Sequence, residues 1–219
     1  MAMPDYRTER ERMVETQIAG RGVRDPAVLQ AMREVPREAF VPPHLAAEAY
    51  ADRPLSIGEG QTISQPYIVG LMLEAGEIGG QDRVLEIGAG SGYAAAVASR
   101  LAAQVCAVER IGALAQAARE RLARLGYDNV EVLQGDGTEG WPARRIFDVI
   151  LVAAAGPEVP QALVAQLAQD GRLVMPVGPR SGPQRLVRLR RTPEGLRQDD
   201  WGAVAFVPLI GAEGFAEDK

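Results

Sequence analysis

Three carboxylates and one glycine-rich turn carry the chemistry legible in this sequence. Glu86-Ile87-Gly88-Ala89-Gly90-Ser91-Gly92 lies between the strand-like run Val84–Ile87 and the helix-like run Tyr93–Leu101. Glycines between a strand and a helix let the backbone turn sharply and approach a ligand that any Cβ would push away. Counted from Gly88, a dinucleotide fingerprint would need a third glycine where Tyr93 stands, and Glu86 would set a negative charge beside the pyrophosphate. An acid there suits a cationic ligand instead. S-adenosylmethionine carries a sulfonium and an ammonium, so Glu86 can hold its amino-acid portion directly or through water. Glu109 closes the second strand about 20 residues further on, where a carboxylate can accept from both ribose hydroxyls. Asp136, in Gly135-Asp136-Gly137, follows the third strand and can accept from the adenine amino group. Taken singly, Glu109 reads equally as a solvated strand end and Asp136 as a turn acid. Together, three acids at the ends of successive strands converge on the crevice where open α/β sheets bind ligands.

The elements that must position these residues follow from periodicity. Met13, Val14, Gln17 and Ile18 repeat at helical spacing, as do Val28, Leu29, Met32 and Val35 after the Asp25-Pro26 start signal. Pro42 to Pro66 carries Pro, Gly, Ser and Thr without sustained period and reads as a long loop, before Pro66 launches a helix over Tyr67–Glu74. From Arg83 strands and helices alternate: strands Val84–Ile87, Gln104–Glu109, Val130–Leu133, Phe147–Val152 and Gly171–Val177, with helices between, the last over Val159–Leu167. Nearly continuous apolar strands imply a parallel sheet covered on both faces. Gln184–Arg191 and Ala203–Leu209, joined through Pro193-Glu194-Gly195, predict an antiparallel edge. The fold class is therefore α/β, a doubly wound, mainly parallel sheet, within one domain over 1–219. That domain divides into N-terminal helices and loop (1–80), a cofactor-binding core (81–180) and edge strands (181–219).

Composition narrows the partners. A formal charge of −5 gives a surface repelled on balance by nucleic acid and anionic lipid. One cysteine, Cys106, and one histidine, His44, exclude an intrachain disulfide and a Cys/His metal cluster, so no metal is expected. Cys106 reads as a buried, inert thiol, and His44 receives no role. The Arg- and Glu-rich start has no apolar h-region, and the longest apolar run, Val149–Ala155, is too short to span a bilayer. A cytoplasmic monomer is expected. Lys219 is the only lysine.

Val35-Pro36-Arg37-Glu38-Ala39-Phe40-Val41-Pro42, Gly60-Gln61-Thr62-Ile63-Ser64-Gln65-Pro66-Tyr67, Val84–Gly88, Val108-Glu109-Arg110, Gly135-Asp136-Gly137, Gly171–Val174 and Phe206–Leu209 resemble, in order, the signature segments of protein-L-isoaspartate O-methyltransferases. The resemblance implies transfer of a methyl group from S-adenosylmethionine to the free carboxylate of isoaspartyl and D-aspartyl residues in damaged proteins. The ester then closes to a succinimide, and repair follows. It assigns Ser64 to the active site, with Thr62 and Ile63 beside the cofactor. Further cofactor contacts are implied at Glu86, Gly88, Ala89, Gly90 and Ser91, at Glu109 and Arg110, and at Gly135, Asp136 and Gly137. Ser56 stands where the family usually has proline, and Ala153 where a threonine is common. Without the resemblance, Ser64 reads as a capping residue ahead of a helix. The competing functions are a methyltransferase of small carboxylates, a dinucleotide oxidoreductase, disfavoured by Glu86 and Tyr93, and a non-catalytic binder of the same fold.

Overall fold

A proline in the first turn of a helix gives up only an N–H that the turn does not use, and an acid ahead of it caps the N–H groups that follow. Asp25 and Pro26 act this way: the Asp25 carboxylate accepts from the N–H of Ala27 at 2.8 Å and of Val28 at 3.3 Å. In the computed structural model, which describes residues 5–217, helix α1 (Tyr6–Arg12) runs on through a wider-wound turn, Met13–Ile18, whose Met13, Val14 and Ile18 are buried. Helix α2 (Pro26–Glu34) packs beside it. The outermost residues of the expected 1–219 division, Met1–Pro4 and Asp218–Lys219, lie outside the described residues.

The Pro42–Pro66 segment departs from the long loop its composition predicts. Pro43–Glu48 forms a tight helical turn, and β1 (Leu55–Gly58) pairs antiparallel with β2 (Gln61–Ile63), Ser56 opposite Thr62. Strands of three and four residues are too short for a two-residue alternation to register. Helix α3 (Pro66–Gly76) follows, as the proline predicts.

The remaining strands form one seven-stranded sheet. They are β3 (Arg83–Ile87), β4 (Gln104–Glu109), β5 (Val130–Gln134), β6 (Phe147–Val152), β7 (Leu167–Val177), β8 (Gln184–Thr192) and β9 (Gly195–Val204), in the order β5-β4-β3-β6-β7-β8-β9. Strands β3 to β7 run parallel, while β8 and β9 close the edge antiparallel. Helices α4 (Tyr93–Ala98), α5 (Gly112–Arg124) and α6 (Gln161–Ala165) connect the parallel strands. Several boundaries differ from expectation, and the helix expected over Tyr93–Leu101 ends at Ala98. The helix expected over Val159–Leu167 is shorter, and β7 begins at Leu167. The last strand is Gly195–Val204, not Ala203–Leu209. Its Gln198, Asp199 and Asp200 carry no apolar pattern; pairing with β8 and ion pairs to Arg188 (2.6 Å) and Arg185 (2.7 Å) hold it. Val207–Leu209 is apolar because it packs at the end of the sheet, where Pro208 bridges Ala155.

The chain steps from β3 outward to β4 and β5, then returns to the far side of β3 with β6. Such a reversal opens a crevice outside the carboxyl ends of the strands. No helix among the described residues is long and apolar enough to cross a membrane.

Candidate active site

The tips of β3 and β4 lie level, with Ile87 paired to Val108 and Glu109 to Gln134 of β5. Past Ile87 the backbone turns by donating the N–H of Gly88 (2.8 Å) and Ala89 (3.2 Å) to the Val108 carbonyl. Gly88 has φ of +87°, a left-handed conformation that glycine adopts at little cost and side-chain-bearing residues do not. At Gly90 a Cβ would sit 3.2 Å from Ile57 Cδ1. The room this glycine leaves is therefore taken by the β1–β2 hairpin, which lies over the turn.

Two buried carboxylates meet there. Glu109 is 6% exposed; its Oε2 accepts from the N–H of Gly90 at 2.9 Å and its Oε1 from the N–H of Ile111 at 2.8 Å. Each oxygen keeps a second lone pair for another donor. Glu86 is 3% exposed, and its Oε2 has no partner. Burial first, and then the charge of Glu109, push the Glu86 carboxyl up to about 8, against the backbone amide of Ala95. A carboxylate stripped of water and given no donor is strongly unfavourable until a cation or donor reaches it.

These groups open on one cleft, about 880 Å³ with the solvent at its mouth included. Thr62, Ile63 and Ser64, the run Glu86 to Ser91, and Glu109, Arg110 and Gly137 all line it. The Ser64 hydroxyl makes no hydrogen bond among the described residues, while the Ser64 carbonyl accepts from Arg37 Nη2 at 2.8 Å. Arg110 lines the cleft and pairs with Glu217 at 2.8 Å. Gly135 and Asp136 lie instead in an adjoining shallow recess, which shares Val108 with the cleft. Asp136 Oδ1 accepts from Thr138 N–H (2.9 Å) and Oγ1 (2.7 Å), and Oδ2 from Ala212 N–H (2.7 Å). Its carboxylate thus fastens the C-terminal segment.

Sequence reasoning missed two contributors. Val207–Ile210 line the cleft although they read as a strand, and Arg37 reaches Ser64 from a segment that carried no assigned role. Total burial of an arginine has no signature in sequence pattern. Cys106 is buried, as its apolar neighbours predict, with its Sγ accepting from Arg145 Nη1 at 3.2 Å; desolvation raises its thiol pKa.

An open α/β sheet, a glycine turn, and an unpartnered buried carboxylate at a strand tip define the cofactor cleft of an S-adenosylmethionine-dependent methyltransferase. The model of the protein-L-isoaspartate(D-aspartate) O-methyltransferase family matches residues 8–214, and the chain belongs to that family. Protein-L-isoaspartate O-methyltransferase 1 of Rhodopseudomonas palustris (strain HaA2) is 59% identical over 212 residues, covering 96% of this chain and 86% of the relative. A protein-L-isoaspartate O-methyltransferase of Methylorubrum extorquens (strain PA1) is 58% identical, covering 98% and 94%. A solved protein-L-isoaspartate O-methyltransferase aligns with TM-score 0.83 at 31% identity, covering 94% of this chain and 67% of the other. A Plasmodium falciparum structure assigned to the same activity, in complex with S-adenosyl-L-homocysteine, aligns with TM-score 0.80 at 25% identity, covering 92% and 98%.

Proposed function

We propose that the protein methylates the free carboxylate of L-isoaspartyl and D-aspartyl residues in damaged proteins, using S-adenosylmethionine. The observation that carries the reading is the Glu86 carboxylate, buried and without a partner on Oε2, in the cleft that Ser64 and Glu109 share. When bound, S-adenosylmethionine supplies a methyl group on a positively charged sulfur. Glu86 offers its open oxygen to the cationic portion, and Glu109 its remaining lone pairs to the ribose hydroxyls. Thr62, Ile63 and the Gly88–Ser91 turn enclose the ligand, with Arg110 and Gly135–Gly137 toward the nucleoside.

The acceptor needs no general base, because a carboxylate with a pKa near ~4 is already ionised at neutral pH. The Ser64 hydroxyl, free of other partners, donates to one acceptor oxygen, and the N-terminal end of α3 attracts the same charge. In-line placement and exclusion of water then supply the acceleration, an effect worth roughly 7–11 kcal/mol in favourable cases. The peptide nitrogen that follows then attacks the ester carbonyl, methanol leaves as the succinimide closes, and hydrolysis of that ring returns part of the material to normal aspartate. The negative surface charge fits protein and peptide substrates rather than nucleic acid or membrane. A cytoplasmic monomer is consistent with the reduced single cysteine.

The test is labelled methyl transfer to a synthetic isoaspartyl peptide and to its normal aspartyl twin. Transfer to the first alone is expected. Transfer to neither, or preference for small carboxylic acids, sinks the reading.

A further inference from the structure

Arg37 is 0% exposed, and among the described residues no carboxylate meets it. Its Nε donates to the Ala49 carbonyl at 2.7 Å and its Nη2 to the Ser64 carbonyl at 2.8 Å, while Nη1 has no partner. The guanidinium carbon lies 4.9 Å from the centroid of the Tyr93 ring, whose hydroxyl is also buried and unpartnered. The neighbouring acid, Glu38, is already engaged by Arg10 at 3.7 Å and by the Tyr50 hydroxyl. Burial pulls the Arg37 pKa below the ordinary arginine value, yet a guanidinium stays protonated at neutral pH. Two carbonyl oxygens and an aromatic face meet the guanidinium without cancelling its charge. A whole positive charge is thus held immediately behind the wall that Ser64 and Tyr93 give to the cleft, where salt screens it weakly.

We propose that Arg37 is a positioning and specificity-determining residue. Through the Ser64 carbonyl it fixes the loop that presents the Ser64 hydroxyl, and its uncompensated charge draws an anionic acceptor into the cleft in preference to the isosteric carboxamide. The inference rests on the reading that a carboxylate is placed at Ser64.

The experiment compares wild type, Arg37→Gln and Arg37→Lys. The isoaspartyl peptide is the substrate, and the same peptide with its free carboxylate replaced by a carboxamide is a competitive inhibitor. Arg37→Gln is expected to raise KM for the isoaspartyl peptide on the order of tenfold, as loss of a nearby, weakly screened charge would give. The inhibition constant of the amide, which shares any loosening of the Ser64 loop but not the attraction of the charge, should rise far less, and the affinity for S-adenosylhomocysteine should not move. Arg37→Lys should keep the preference for the anion but lower kcat, because an ammonium cannot span two carbonyls in the guanidinium geometry. Parallel weakening of both peptides in Arg37→Gln would show a purely structural role and overturn the proposal. If melting curves show Arg37→Gln unfolded, Arg37→Lys decides: retained preference supports the proposal, and lost preference overturns it. Wild type that transfers no methyl group to the isoaspartyl peptide refutes the functional reading itself, a separate result.

Discussion

Ser64 and Glu109 face one cleft but have different partners, so their substitutions should separate cleanly. The Ser64 hydroxyl has nothing to lose within the protein, since it makes no hydrogen bond there. Ser64→Ala is expected to lower kcat by roughly tenfold, the worth of one hydrogen bond to a charged acceptor, with S-adenosylhomocysteine affinity unchanged. Glu109 is the opposite case. Its two oxygens hold the N–H groups of Gly90 and Ile111, so Glu109→Ala removes a ligand contact and also frees the glycine turn. Cofactor affinity should fall by roughly 10–100-fold, from one or two charge-assisted bonds, with much less change in kcat at saturating cofactor. Calorimetric titration and steady-state kinetics on the same preparations test the pair. Equal effects of both substitutions on cofactor binding would contradict the division of roles.

Asp136 shows how an element depends on one acid. Its Oδ2 accepts from Ala212 N–H, and Thr138, which donates to Oδ1, in turn accepts from Glu213 N–H at 3.1 Å through Oγ1. The segment so held carries Val207–Ile210 along the cleft. Asp136→Asn turns one acceptor into a donor facing an N–H, at a cost of roughly 1–3 kcal/mol for the buried group left unpaired. Amide hydrogen exchange at Ala212 and Glu213 should accelerate while that of β3 and β4 stays slow; unchanged protection at Ala212 would refute the clamp. This element also marks the limit of what the sequence discloses. The parallel core was legible because Val84–Ile87 and Phe147–Val152 are apolar but for one acid each, Glu86 and Asp148, and Asp25-Pro26 announced α2 through local chemistry alone. The β1–β2 hairpin was illegible, since four residues cannot display a period, and β9 was hidden by polar residues whose reason is an ion pair across strands. At the site, spacing and resemblance pointed to Glu86, Glu109 and Ser64, which line one cleft. The partner of the Asp136 carboxylate lies 76 residues away, and only the folded chain brings Ala212 to it.

At the scale of the whole molecule, the buried Glu86 makes stability and cofactor binding respond to pH in opposite senses. In the unfolded chain this carboxyl titrates near 4.5, and in the folded chain burial and the Glu109 charge raise it to about 8. Between those values the folded state keeps a proton that the unfolded state has released, so stability falls as pH rises through the window and levels off above it. Below 4.5 both states are protonated and the group contributes nothing to the dependence. Glu86→Gln removes this linkage. The melting temperature of the variant, without cofactor, should match that of wild type near pH 5 and exceed it by several degrees at pH 8.5, at roughly 2–4 °C per kcal/mol for a chain of this size. A cationic ligand beside Glu86 favours the ionised form. Binding of S-adenosylmethionine below pH 8 should therefore release a proton, and affinity should climb with pH until about 8 and then flatten. Titration calorimetry in two buffers of different ionisation enthalpy measures the proton directly. A heat independent of buffer at pH 6.5, or a Glu86→Gln variant with the same pH dependence as wild type, would place the negative charge that meets the cofactor on some group other than Glu86.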